Sequence, residues 1–412
     1  LMKNKTNEIS LCEVCGSDNL TPVLDLGLHP MCDDLVEVGD NRVCNEYLID
    51  ILFCEQCLTA HQHFQVPKKD LFPKDYHYRS RFTADVLKGM EQLVDKCQEE
   101  FGNLNHKLVL DIGCNDGSLL DFFKDYGCDT IGVEPTMAYL DAYNKGHSIF
   151  NGYLTEELSN KIVSKKGKPD LIVFTNVFAH IEDLKSVLNS LKVLMKNETV
   201  IVIENHYLGS VLEKNQFDTF YHEHPRTYSF TSFDYIARDL GINILNVEFP
   251  SRYGGNIRIF MGNTGETIDG ALKNKILEGE SKFLDDFKTL KSNINKWVEK
   301  KRKLINNAVN VHGKLPAKAF PGRAAILIKM LGIDENIISK VYERDGSLKV
   351  GHYVPGTRIE IDSDSNLFDK GTQDIPLINL AWHISGEISE YMKNNSYNGE
   401  IINIIDSSDF DQ

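Results

Sequence analysis

The run Leu108-Val109-Leu110-Asp111-Ile112-Gly113-Cys114-Asn115-Asp116-Gly117-Ser118-Leu119-Leu120 constrains what this chain can fold into more than any other segment. An apolar stretch carrying an acid meets a Gly-x-x-x-Gly turn, and apolar residues resume at once. The pattern predicts a buried parallel strand, a tight turn and a helix N-terminus in succession. Gly113 is free to take positive φ, and both Gly113 and Gly117 let the backbone come close to a ligand. The spacing is not the G-x-G-x-x-G of a dinucleotide fingerprint, and no Gly-Lys-Ser/Thr follows for a nucleoside triphosphate.

A second acid fits the same reading. Thr130-Ile131-Gly132-Val133-Glu134 reads as the next strand and ends in a carboxylate 23 residues after Asp111. In doubly wound folds an acid at that point accepts both ribose hydroxyls of a nucleoside cofactor. Asp111 taken alone also reads as a helix cap. The glycine turn resembles motif I of class I S-adenosylmethionine (SAM) methyltransferases, in which it passes under the methionine end of SAM. That resemblance implies a SAM site built from Asp111, Gly113, Asn115, Gly117, Glu134 and, at the end of a later strand, Asn176.

At 412 residues the chain has room for two to four domains. Its formal net charge of −15 argues against a general nucleic-acid binder, whose footprint is basic. No apolar run approaches the roughly 18 residues of a membrane span, and no signal peptide opens the chain, with Met2 reading as the natural start. Nine cysteines, an odd number spread widely, do not form a secreted disulfide framework. A cytoplasmic monomer is the expectation.

Cys12-Glu13-Val14-Cys15 and Cys54-Glu55-Gln56-Cys57 are two C-x-x-C knuckles separated by 38 residues. Four thiolates at this spacing can converge on one tetrahedral Zn²⁺, and with every position filled the metal is structural. A redox C-x-x-C is the competing reading, weakened by the strand-like segments between the knuckles. Cys32 and Cys44 read as bystanders. A zinc-binding β-module over residues 1–70 follows, then a polar-aromatic bridge carrying Tyr76, His77 and Tyr78 into a helix from about Phe82 to Glu100.

Asp170 to His180 reads as a strand running into the ligand edge of the sheet, Leu184 to Lys196 as an amphipathic helix, and Thr199 to Glu204 as another strand. Asp218-Thr219-Phe220-Tyr221-His222-Glu223-His224-Pro225 is the densest group of acid–base residues. It lacks the H-E-x-x-H helix of a zinc protease. Its imidazoles and phenol can take a carbon-bound proton beside a carbonyl, with His224, oriented by Glu223, or Tyr221 as the base; a hydrogen-bonded structural loop is the plainer alternative. Arg252 to Ile259 reads as a turn into a strand that closes a central domain over residues 71–265. Residues 266–412 read as connecting helices between about Thr267 and Asn310, then a second α/β unit with a helix after Arg323 and strands at Ile338–Tyr342 and Leu377–Trp382.

Zinc knuckles, the SAM motif, Asn176-Val177-Phe178-Ala179-His180, Tyr221-His222-Glu223-His224 and the tail with Pro355-Gly356-Thr357 occur in an order that resembles the sugar C-methyltransferases. The resemblance covers nearly the whole chain. It implies an α/β architecture: a class I SAM methyltransferase (Rossmann-like) core with an N-terminal zinc-binding β-module and a C-terminal Rossmann-like α/β domain. It also implies a nucleotide-linked 4-keto-deoxysugar substrate and a catalytic set of Tyr76 (or Tyr78), His180, Tyr221, Glu223 and His224. Two segments depart from the family pattern: Pro321-Gly322-Arg323-Ala324 stands for its Gly-Ala-x-x-Lys-Gly-Asn turn, and Arg79 to Thr83 for a serine-rich stretch. The rival readings are an O- or N-methyltransferase of a sugar or small metabolite, and a non-catalytic zinc-knuckle interaction protein.

Overall fold

A computed structural model describes residues 6–71, 80, 84–368 and 373–410. Tyr76 and Tyr78 lie outside the described residues. At the centre are seven strands: β1 (Leu108–Ile112), β2 (Asp129–Glu134), β3 (Ser148–Asn151), β4 (Leu171–Thr175), β5 (Val200–His206), β6 (Asn243–Glu248) and β7 (Asn256–Gly262). Their spatial order is β3-β2-β1-β4-β5-β7-β6. Only β7 runs against its neighbours.

The apolar strand sequences follow from burial on both faces. Leu110, Ile112, Ile172, Phe174, Ile201 and Ile203 enter one core with helices Leu184–Leu194 and Phe230–Leu240. The alternate residues Val109, Val173, Val200 and Val202 enter the other, against helices Ala84–Phe101 and Ser118–Asp125. Parallel strands covered by helices on both sides need this unbroken hydrophobicity. Chain order reverses between β1 and β4, and ligands of open α/β sheets bind beyond the carboxyl ends of the strands at such a point.

The zinc-module sheet consists of Leu20–Pro30, Glu46–Cys54 and Ala60–Gln62, and its edge is completed by Arg226–Thr227 from far along the chain. The segment just before that edge strand is therefore trapped between the module and the rest of the protein. Phe217 and Phe220 are fully buried there, their rings 5.1 Å from Trp297 and 6.0 Å from Phe287 of the long helix Phe283–His312. Trp297 in turn donates its indole N–H to the Ile404 carbonyl oxygen at 2.7 Å.

The C-terminal unit repeats the topology of the centre. Its strands, in chain order Leu315–Lys318, Ile338–Glu343, Ile361–Ser363, Leu377–Asn379 and Ile401–Asn403, pair with the third at one edge, then the second, first, fourth and fifth. The strand expected to run to Trp382 stops at Asn379. The Asn379 side-chain oxygen accepts the Ala381 N–H at 3.0 Å, an Asx turn that draws the backbone out of the sheet.

Candidate active site

The loop after β1 bends under a cavity of about 630 Å³ at the sheet's carboxyl edge. Gly113 has φ +74°, and a Cβ there would lie 2.6 Å from Val177 Cγ2; Gly117 has φ +77°, and its Cβ would meet Ala142 at 2.9 Å. Both positions therefore require glycine. Glu134 ends β2 buried, with one carboxylate oxygen accepting the Asn115 N–H at 2.9 Å and the other the Thr136 N–H at 2.8 Å. Each oxygen keeps a lone pair toward the cavity. Asp111 is buried beside it; burial, then the Glu134 charge, pushes its carboxyl well above the usual range. Asp111 is not the cap of the following helix: that helix starts at Ser118 with Gly117 as its N-cap, and Asp116 Oδ1 accepts the Ser118 N–H at 3.1 Å. Asn176 follows β4 at φ +55°, and its side-chain oxygen accepts from Asn256 Nδ2 at 3.4 Å.

The same cavity is lined by His180, His206, Tyr221, Glu223 and His224. The His224 ring lies 4.6 Å from that of His180, 4.3 Å from Tyr221 and 5.4 Å from His206, centre to centre. Burial is the main reason these imidazoles are neutral: His180 is held down to about 4 and His206 to about 3. His224 is held well below its usual value, first by burial and then by His180, His206 and Arg323. Its Nδ1 lies 3.0 Å from the Thr219 carbonyl oxygen. That contact makes Nδ1 the protonated nitrogen and Nε2 the basic one.

The partner of His224 differs from the sequence expectation. Thr219 orients it through a backbone carbonyl, and the Glu223 side chain does not. Glu223 reaches His180 instead, by its carbonyl oxygen at 2.9 Å from Nδ1 and by its carboxylate at 4.0 Å. Burial and then the neighbouring Asp33 push the Glu223 carboxyl well above the usual range. Sequence reading also passed over His206 and Asn205, which line the cavity from the end of β5. Their position one strand beyond His180 at the same sheet edge was the signal available. Arg323, noted only as part of a divergent turn, enters from the C-terminal unit and donates to Thr219 Oγ1 at 3.0 Å.

In the N-terminal module the sulfurs of Cys12, Cys15, Cys54 and Cys57 all lie within 4.8 Å of one another. Four thiolates at about 2.3 Å from a tetrahedral Zn²⁺ stand about 3.8 Å apart, so this donor set fits the ion. His61 Nε2 lies 3.3 Å from Cys12 Sγ, and Arg226 Nη1 donates to Glu13 at 2.7 Å, tying the knuckle to the strand that follows His224. Cys32 and Cys44 stand outside the group.

Residues 12–72 match the family model described as "Putative zinc binding domain", residues 78–247 a "Methyltransferase domain", and residues 251–405 a "C-methyltransferase C-terminal domain". The C-methyltransferase NovU of Streptomyces niveus is 26% identical over 408 residues, covering 97% of this chain and 96% of that protein. The ubiquinone biosynthesis O-methyltransferase of Actinobacillus pleuropneumoniae is 27% identical over 116 residues, 26% of this chain and 49% of that enzyme. Among solved structures, magnesium protoporphyrin IX methyltransferase from Synechocystis with bound S-adenosylhomocysteine is 17% identical, covering 43% of this chain and 83% of that one at a TM-score of 0.35. With the motif I turn at a class I sheet edge, three consecutive domain matches and a full-length C-methyltransferase relative, the chain is a SAM-dependent C-methyltransferase.

Proposed function

We propose that the enzyme methylates the carbon beside the ketone of a nucleotide-linked 4-keto-deoxysugar, through an enolate, in the making of a branched-chain sugar. The observation that carries this reading is the convergence of Tyr221, His224 and His180 on the cavity that the motif I turn lines. An O- or N-methyl acceptor needs one proton removed from a heteroatom; a cluster this dense suits removal from carbon and stabilisation of the oxygen that receives the charge.

SAM, when bound, supplies an electrophilic methyl group. Asp111, Gly113, Asn115, Gly117, Glu134 and Asn176 are the residues we assign to holding it, with Glu134 accepting the ribose hydroxyls. His224 Nε2 takes the proton from the carbon, the electrons of that C–H bond form a carbon–carbon double bond as the carbonyl π pair moves onto the ketone oxygen, and His180 stands beside the resulting enolate. Burial makes His224 a weak base in the free protein; the negative charge that develops next to the new imidazolium offsets this. Tyr221 is the other candidate for the base. We assign a structural Zn²⁺ to Cys12, Cys15, Cys54 and Cys57, and take residues 1–70, 71–265 and 266–412 as the three domains. We take the enzyme to work in the cytoplasm.

Deuterium wash-in at the carbon next to the ketone, with S-adenosylhomocysteine in place of SAM, is the test. His224→Asn should abolish exchange and lower turnover by roughly 10²–10⁴-fold with SAM affinity intact. Full exchange in that variant and none in Tyr221→Phe moves the role to the phenol. Absence of exchange in the unaltered enzyme, with methyl transfer to a hydroxyl or amine found by mass spectrometry, sinks the C-methylation of a keto sugar. Metal analysis finding no zinc would remove the metal assignment.

A further inference from the structure

Two buried polar atoms at the end of β5 have no hydrogen-bond partner among the described residues: Asn205 Oδ1 and His206 Nδ1. Both residues line the catalytic cavity. A buried polar atom left unpaired costs roughly 1–3 kcal/mol, and most such atoms in native proteins are paired. Two on consecutive residues that line a cavity point to a group that arrives from outside.

Their chemistry is fixed by what their other atoms do. Asn205 Nδ2 donates to the His206 carbonyl oxygen at 3.1 Å. Turning the amide over would set two oxygens against each other, so Nδ2 is the donor and Oδ1 is the atom left without a partner. The His206 ring is supported by a backbone hydrogen bond with Tyr253 and stays neutral. A neutral ring that donates one N–H to a carbonyl has a bare lone pair on its other nitrogen. Both atoms therefore accept, and the ligand must bring donors. The nearest reacting group is the His224 ring, 5.4 Å from His206.

We infer that Asn205 Oδ1 and His206 Nδ1 form a subsite that grips the methyl acceptor by a hydroxyl or amino group one or two bonds from the carbon His224 deprotonates. This rests on the keto-sugar reading above. The subsite is specificity-determining: it rejects an acceptor that lacks the donor, because the two atoms then stay buried and unpaired. The ammonium of the methionine end of SAM is the other donor that could reach a pair of acceptors in this cavity, and the test separates the two.

The experiment compares two nucleotide 4-keto-6-deoxyhexoses, one bearing a hydroxyl next to the methylated carbon and one without it, in the unaltered enzyme, His206→Phe and His206→Asn. The unaltered enzyme should prefer the hydroxylated sugar in kcat/KM by about 10- to 100-fold. His206→Phe keeps the ring volume and should collapse that preference, while His206→Asn, which restores an accepting oxygen, should recover part of it. SAM affinity by calorimetry should stay within about twofold in both variants. Discrimination that survives in a folded His206→Phe overturns the inference and leaves the keto-sugar reading standing. A SAM affinity that falls with unchanged discrimination also overturns it, in favour of the ammonium. An unaltered enzyme that methylates neither sugar overturns both readings. Should His206→Phe fail to fold, the unaltered enzyme alone decides, since equal rates on the two sugars contradict the subsite.

Discussion

The central and C-terminal sheets share the order third, second, first, fourth, fifth, and they repeat a finer detail as well. In the centre, Glu134 at the end of the second strand accepts the Asn115 N–H from the loop after the first. In the C-terminal sheet, Glu343 ends the second strand and accepts the Phe320 N–H, again from the loop after the first, at 2.5 Å. Ala319 there takes φ +62°, as Gly113 does at +74°. What lies beyond the strands differs. The central edge opens into the cavity of about 630 Å³. At the C-terminal edge Phe320 is fully buried, and Lys318 Nζ meets Asp364 Oδ2 at 2.7 Å with Tyr391 OH donating to the same oxygen at 2.7 Å. Topology and an acid-to-loop bond thus make a site possible; small residues in the loop, or large and charged ones, decide whether it is open.

The largest expected effect separates the two edges by stability. Lys318 and Asp364 are both almost fully buried. Lys318→Met leaves a carboxylate buried without its cation, which costs about 3–5 kcal/mol. Denaturant unfolding should register that loss, while calorimetry on the folded fraction finds SAM affinity unchanged. A SAM affinity that drops with Lys318→Met would mean that the C-terminal edge contributes to the cofactor site and that the two edges do not differ in this way.

A matched pair of substitutions sharpens the same contrast at the equivalent acids. Glu134→Ala should weaken SAM binding by about 1.5–3 kcal/mol, the loss of charged hydrogen bonds to a ligand. Glu343→Ala should leave SAM binding alone and cost stability, since its bond to Phe320 serves the fold only. Equal effects of the two substitutions on SAM affinity would show that Glu134 too acts only by holding its loop.

How far the sequence reveals each region follows from how local its causes are. The glycine turn, the acid after β2 and the paired knuckles are spelled out within a few residues, and so the class I core and the convergence of four cysteines were legible. The C-terminal strand order was not, because Phe320 and Lys318 look ordinary until Asp364 and Tyr391 are brought against them. The partner of His224 was hidden for a related reason. Its loop is set by Phe217 against Trp297 and by Arg226–Thr227 pairing with the zinc module, contacts made between residues far apart in the chain. His206 was hidden because its one signal, a place one strand beyond His180 at the same sheet edge, is positional and shows only once the strand order is known.

The smallest effect per group concerns acid. The open edge gathers three imidazoles that burial holds neutral, whereas the closed edge has the Lys318–Asp364 ion pair. In the unfolded chain a histidine takes up its proton near pH 6.5, but native His180 does so only near 4 and native His206 near 3. Between those values the unfolded state binds more protons, so stability falls as pH falls and is fully present above about 6.5. At pH 5 each imidazole should have removed on the order of 1–2 kcal/mol. Denaturant midpoints at pH 7.5 and pH 5 should therefore diverge less in a His180→Asn/His206→Asn double variant than in the unaltered protein. If the double variant loses as much on acidification, the central histidines are not the acid-sensitive groups, and the open edge tolerates protonation as well as the closed one does.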